Sequence, residues 1–125
     1  MSLQILAVDD SRTIRDMLKM ALTQAGFDTS LAEDGMHGLE VLDGMAPDAI
    51  ITDINMPRMD GFGFIEAVRA QDKHRATPIL VLTTESAPEL KARARAAGAT
   101  GWIVKPFDPE KLVRALRTVA GPGGA

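Results

Sequence analysis

Residues 50–57 read IITDINMP, Ile50 to Pro57. Ile50, Ile51 and Thr52 are apolar or β-branched without polar alternation, the pattern of a strand covered on both faces, and the run ends on a lone acid, Asp53. Asn55, Pro57 and Asp60-Gly61 behind it are turn residues. Asp53 thus sits where a buried strand surfaces. The carboxyl ends of parallel strands form the edge at which open α/β sheets bind their ligands. A single strand-end Asp is more often a turn or cap residue, so the reading of Asp53 depends on what else reaches that edge.

Before this stretch, Leu3 to Val8 is apolar except for Gln4 and ends in Asp9-Asp10, which predicts a buried first strand. Ser11 is placed to cap a helix on which Ile14, Met17, Leu18, Ala21, Leu22 and Ala25 recur at helical spacing until Gly26. Phe27 to Ala32 reads as a more polar edge strand. Asp34 then caps a helix with Leu39 and Leu42 inward, ending near Gly44 and Pro47. After the central strand, Ala49 to Thr52, comes a helix bearing Phe64, Ile65 and Val68. Ile79 to Leu82 forms a fourth strand ending in Thr83-Thr84. Ser86 is the expected cap of a helix with Leu90, Ala94 and Ala97, stopped by Gly98. Trp102 to Val104 makes a fifth strand ending in Lys105-Pro106. Asp108-Pro109-Glu110 opens the last helix, which buries Leu112, Leu116 and Val119; the tail from about Gly121 to Ala125 is expected to fray.

Five strand–helix alternations without repeat or linker predict an α/β fold, a doubly wound five-stranded parallel sheet in one domain over residues 1–125. Composition agrees: 46% hydrophobic and 25% charged residues suit a globular domain. With no cysteine there is no disulfide framework and no thiolate zinc site. No apolar run approaches the roughly 18 residues of a membrane span, and Met1 to Asp10 is too short and acid-ended for a secretion signal, so a cytoplasmic protein off the membrane is expected. Residues 1–85 carry 7 Lys+Arg and 14 Asp+Glu, net -7, whereas residues 86–125 carry 7 and 3, net +4. This asymmetry fits a docking surface or a solvated helix face. Nothing resembles a strongly basic nucleic-acid module, so nucleic acid is not an expected partner.

In a parallel sheet the strand ends share one edge, which brings together Asp9 and Asp10, Asp53, Thr83 and Lys105. Three carboxylates crowded there repel each other and call for a cation. Oxygen donors without nearby His or Cys select a hard metal. A few carboxylates and a backbone carbonyl leave room for water, which suits magnesium better than an all-protein calcium cage. A carboxylate beside such an ion can accept a phosphoryl group. Lys105 would supply further positive charge and the Thr83 hydroxyl a hydrogen bond.

The stretches VDDSR (Val8 to Arg12), DINMPRMDG (Asp53 to Gly61), TT (Thr83-Thr84) and VKPF (Val104 to Phe107) together resemble the receiver domain of bacterial response regulators, over the entire chain. The resemblance implies the flavodoxin-like, CheY-like strand order 2-1-3-4-5, which the crossovers alone leave open. It implies phosphorylation at Asp53 by a histidine kinase or phosphotransfer domain. Magnesium would be held by Asp10, Asp53 and the Asn55 carbonyl, with Asp9 acting through water, and Thr83 and Lys105 would bind the phosphoryl group. The Lys105-Pro106 bond resembles one that is cis in the family. Asn55 and Glu85 match positions that influence phosphate lifetime.

Receivers place an aromatic at the position of Trp102, usually Tyr or Phe, whose rotamer follows the threonine. An indole is larger, with an N–H donor, so the inward rotamer fits less easily; the alternative is that Trp102 only packs against the fourth helix. Thr83 and Trp102 are the expected switch pair, and Lys91, Arg95, Trp102 and Val104 the expected output face. The stand-alone layout and NMP loop resemble chemotaxis regulators, implying a monomer that is not an enzyme in the usual sense. Its partners would be a flagellar-motor switch protein and a phosphatase.

A single-domain phosphorelay carrier or phosphate sink shares the same chemistry. An aspartate-nucleophile phosphatase fits less well, because such enzymes place their nucleophile on the first strand with a second acid two residues on, whereas Asn55 follows Asp53 at that spacing. A flavin carrier lacks its phosphate-cradling loop here. Met17, Met20, Met36 and Met45 are expected to pack, and Met56 and Met59 to flank the site. His37 and His74 have no partners at ligand spacing.

Overall fold

Runs of four or five residues, apolar in the main except in β2, become five parallel strands, β1 (Gln4–Val8), β2 (Asp28–Ala32), β3 (Ala49–Thr52), β4 (Ile79–Thr83) and β5 (Gly101–Val104). Between and after them run α1 (Arg12–Gln24), α2 (Gly35–Asp43), α3 (Gly61–Arg69), α4 (Pro88–Ala97) and α5 (Pro109–Ala120), with a short 3-10 turn at Asp72–His74. The structure is a computed structural model and describes residues 2–120; the expected fraying of 121–125 lies outside them. The sheet order is β2-β1-β3-β4-β5, as the resemblance implies, with the polar β2 on an edge.

Alternation along each strand sorts the core into two layers. Leu6, Val8, Ile50, Ile79 and Val81 pack on one face with Leu42, Phe64, Ile65, Val68 and Ala94 of α2, α3 and α4. Ile5, Ala7, Ile51, Leu80 and Leu82 pack on the other with Leu18, Leu22, Leu112 and Leu116 of α1 and α5. Burial on both faces is why these strands show no polar alternation. Phe64 is fully buried, and its truncation to Ala would cost about 3–5 kcal/mol.

Capping follows the sequence at α1, where Ser11 Oγ accepts from the Ile14 amide at 3.3 Å, and at α2, where Asp34 Oδ1 accepts from His37 at 2.8 Å. Asp60, read only as a turn residue, caps α3 through Gly63 at 2.8 Å. Ser86 does not cap α4: the N-cap is Ala87, without a side-chain bond, and Pro88 opens the helix. A proline at the first position needs no amide partner, so it can start the helix without a cap.

The methionines also differ from expectation. Met17, Met20 and Met36 are 46%, 65% and 40% exposed. On α1 the apolar face is centred on the buried Leu18 and Leu22, and one residue is about 100° of helical turn, so Met17 rotates into solvent. Met45, beyond the end of α2, and Met56 and Met59 do pack against the core.

The register sets the functional edge. Val8 pairs with Thr52, Thr52 with Val81, and Thr83 with Val104. The next amides still join the ladder: Asp9 donates to the Ala32 carbonyl at 3.0 Å, Asp53 to Val8 at 3.0 Å and Lys105 to Thr83 at 2.7 Å. The side chains of Asp9, Asp53 and Lys105 therefore leave from the last rungs of the sheet. None of the described helices is long and apolar enough to cross a membrane.

Candidate functional site

Strand ends far apart in sequence converge on Asp53. Lys105 reaches from β5 past β4, placing Nζ 2.7 Å from Asp53 Oδ2 and 2.8 Å from Asp9 Oδ2. The side chains of Lys105, Asp9 and Asp53 are only 10%, 2% and 9% exposed, so these pairs are screened far less than surface ones. The second oxygens are held as well: Asp53 Oδ1 accepts from the Ile54 amide at 2.6 Å and Asp9 Oδ1 from Ser11 at 2.9 Å. Arg15 fixes the backbone, donating from Nη1 to the Asp9 carbonyl at 2.7 Å.

Carboxylate oxygens of Asp9, Asp10 and Asp53 lie within 4.8 Å of one another. Asp10 is exposed and the other two buried, so the group opens to solvent on one side. Burial raises the Asp9 carboxyl above its usual value, against hydrogen bonds from Lys105 and Ser11 that lower it. Burial also pulls Lys105 down, but its hydrogen bonds to Asp53 and Asp9 outweigh this and leave it raised. The raised lysine keeps its proton, and an ammonium within 2.7–2.8 Å of two carboxylates is a charge-assisted arrangement.

The donor set tests well against magnesium. It is all oxygen, with no His or Cys in the group, it carries the formal charge that a divalent ion neutralises, and its open side admits water. The chain turns sharply here to enter α3. A Cβ on Gly61 would collide with the Asp53 carbonyl oxygen and lie 2.8 Å from Ile54 Cα, so glycine is what lets the helix begin this close to the strand end.

Thr83 is fully buried, and its Oγ1 accepts from the Glu85 amide at 3.4 Å. Glu85 is the meeting point of two further contacts. Its carboxylate accepts from Asn55 Nδ2 at 3.2 Å, and its carbonyl accepts from the Trp102 indole at 3.0 Å. Trp102 is half-buried and packs on the core layer that includes Ala94 of α4. Lys91, Arg95 and Trp102 share a small groove of about 60 Å³ between α4 and β5. Val104, 39% exposed at the end of β5, is not part of its lining. The Lys105-Pro106 bond is cis.

His37 and His74 lie outside the acidic group. His37 Nδ1 accepts from the Glu33 amide at 3.1 Å, and His74 is buried. A larger groove of about 630 Å³ between α1 and α5, lined by Ala21, Val113 and Arg114 among others, contains none of the strand-end residues. Sequence reading missed a bidentate pair, Arg58 on Asp34 at 2.8 and 2.9 Å.

Residues 5–117 match the family model described as the response regulator receiver domain. Chemotaxis protein CheY1 of Helicobacter pylori (strain J99) is 39% identical over 121 residues, covering 95% of this chain and 98% of that one. Among solved structures, the chemotaxis response regulator CheY4 of Vibrio cholerae superposes with a TM-score of 0.90 at 48% identity, covering 95% of this chain and 99% of that one. The receiver domain of a sensor histidine kinase from Pseudomonas aeruginosa PAO1, solved with magnesium coordinated in its active site cleft, gives a TM-score of 0.89 at 27% identity, covering 97% and 99%.

Proposed function

This chain belongs to the response regulator receiver domain family, and from that premise we propose that it is a phosphorylation-driven switch whose acceptor is Asp53. The observation that carries this reading is Lys105 Nζ poised 2.7 Å from Asp53 Oδ2 beside Asp9, on an edge where three carboxylates gather. An Asp53 carboxylate oxygen attacks the phosphorus of a phosphohistidine on a kinase or phosphotransfer domain. The O–P bond forms as the N–P bond breaks, and the leaving imidazole takes its proton from water. Lys105, already charged and held, offsets negative charge on the transferring group without reorganising. Thr83 supplies a hydroxyl donor to a phosphoryl oxygen.

Asp10, Asp53 and the Asn55 carbonyl would hold magnesium in this reading, with Asp9 acting through water; the ion would supply charge neutralisation and orientation of the phosphoryl oxygens. The magnesium in the Pseudomonas relative's cleft supports this. Phosphorylation draws Thr83 and Lys105 to the new group, and the segment from Thr84 to Lys91 follows. Trp102 moves with Glu85, changing the face of Lys91, Arg95, Trp102 and Val104. Asn55 and Glu85, joined across the acceptor, govern phosphate lifetime. The chemotaxis relatives favour a flagellar-motor switch protein as target, bound by a monomer whose basic output face suits an acidic surface. A phosphatase resets the switch.

Incubation with magnesium and acetyl phosphate should label the wild-type chain and leave Asp53→Asn unlabelled. Equal labelling of that variant removes the mechanism.

A further inference from the structure

The loop that carries Asn55 from β3 to α3 is fastened at its far side by a pair that the phosphoryl chemistry does not use. Arg58 has φ +65°, the only non-glycine residue among those described in the left-handed region, a conformation that L side chains disfavour. Its guanidinium meets Asp34 at both oxygens, Nε to Oδ2 at 2.8 Å and Nη2 to Oδ1 at 2.9 Å. Asp34 is 3% exposed, and Arg58 is the one cation bridged to it among the described residues. Its Oδ1 also accepts the His37 amide, so the same carboxylate caps α2.

The surrounding backbone leaves little slack. A Cβ on Gly35 would lie 2.7 Å from the Met59 carbonyl oxygen. Met59 donates to the Pro57 carbonyl at 2.7 Å and Gly61 to the Ile54 carbonyl at 2.8 Å. A disfavoured backbone state persists only where the surroundings over-determine it, and here the Met59-to-Pro57 bond that closes the turn around residue 58 and the ion pair on its side chain both bear on Arg58.

We infer that Asp34 and Arg58 form a positioning clamp that fixes the Ile54–Gly61 loop against the start of α2, and thereby sets the divalent-cation affinity of the Asp53 site. The inference rests on the proposed reading of Asn55 as a metal ligand, three residues from Arg58. Without the guanidinium, the loop can relax at residue 58 and the Asn55 carbonyl loses its fixed distance from Asp53. Arg58 and Asp34 are positioning residues and touch no reacting atom.

The full chain and its Arg58→Ala, Arg58→Gly and Asp34→Asn variants are compared by Mn²⁺ titration using water proton relaxation, with amide hydrogen exchange at Met59 and Gly61 read in parallel. Glycine accepts a positive φ freely, so Arg58→Gly removes the clamp while relieving the backbone, and urea unfolding separates a general loss of stability from a local one. The expected result is Mn²⁺ affinity weakened roughly tenfold, at the lower end of what lost supporting contacts do to metal sites, in both Arg58 variants. Exchange at the two amides should be faster in both, with Asp34→Asn changing in the same direction. Wild-type affinity and exchange in Arg58→Gly overturn the clamp. A wild-type chain that binds no Mn²⁺ instead overturns the metal reading and the claim about affinity, and the exchange data then decide whether the pair holds the loop.

Discussion

The ammonium of Lys105 bridges Asp53 and Asp9 at 2.7 and 2.8 Å, so a side chain from the edge strand β5 spans β4 to join acids on β3 and β1. Removing it leaves two largely buried carboxylates facing each other. Lys105→Met should therefore destabilise the metal-free protein at neutral pH by about 1–3 kcal/mol, the penalty for buried groups left unpaired. Added magnesium should recover part of this loss through binding to the folded state. Urea unfolding in chelator and in magnesium measures both. An unchanged midpoint in chelator would show that the bridge contributes nothing to the fold.

Asp10 tests the opposite sign. It is the exposed member of the three acids within 4.8 Å of one another, and in chelator its charge faces two others of the same sign. Asp10→Asn should raise stability without metal by about 0.5 kcal/mol, as relief of unfavourable surface charge commonly does. The same variant should lose most of the stabilisation that magnesium gives the wild type. If its magnesium response matches wild type, Asp10 is not a ligand.

The strand-end residues were legible in sequence because parallel strands must end on a common edge, so Asp9, Asp53, Thr83 and Lys105 could be gathered before any contact was known. The same rule said nothing about Arg69, which donates to the Gly98 carbonyl at 3.1 and 2.8 Å and to the His74 carbonyl at 2.7 Å. Its partners are backbone carbonyls, which leave no residue-type signature. Arg58 was equally silent, because its pairing depends on a positive φ and on how far α2 lies from the loop. Ser86 misled because a good capping residue stood two positions before the proline that opens α4.

Trp102 gives an optical test of the switch. Its indole donates to the Glu85 carbonyl at 3.0 Å, so movement of the segment after Thr83 carries the indole into different surroundings. Saturating beryllofluoride with magnesium should change Trp102 emission in the wild type and leave Asp53→Asn unchanged. As the sole tryptophan, it reports without interference. A flat wild-type signal would mark Trp102 as a static packing residue on α4.

Gly98 ends α4 at φ +118°, where a Cβ would lie 2.8 Å from both Cγ and Nε of Arg69. Gly98→Ala therefore combines a disfavoured backbone with displacement of the Arg69 guanidinium, and should cost at least about 1–2 kcal/mol. Gly26 also has positive φ, +91°, but a Cβ there meets nothing within 4 Å among the described residues. Gly26→Ala should be the milder change in the same urea assay. Equal costs would mean that Arg69 yields freely and that backbone conformation alone decides.

His74 contributes to the acid-side pH dependence. It is 2% exposed, its Nε2 has no hydrogen-bond partner among the described residues, and Nδ1 lies 3.4 Å from Thr77 Oγ1. Burial, with the nearby charges of Lys73 and Arg69, lowers its pKa below the ordinary 6.5. Between the lowered folded value and about 6.5, the unfolded chain binds a proton that the folded chain refuses. Stability is thus undiminished by this group above about pH 6.5 and falls on acidification below it, with a limiting slope of about 1.4 kcal/mol per pH unit for one proton. The penalty stops growing once pH drops beneath the folded value. His74→Leu removes the titrating ring and the unpartnered nitrogen, so the wild-type minus variant difference in unfolding free energy should be flat above pH 7 and turn against the wild type below pH 6.5. A difference constant from pH 8 to 5 would show that the imidazole takes up its proton within the fold without penalty.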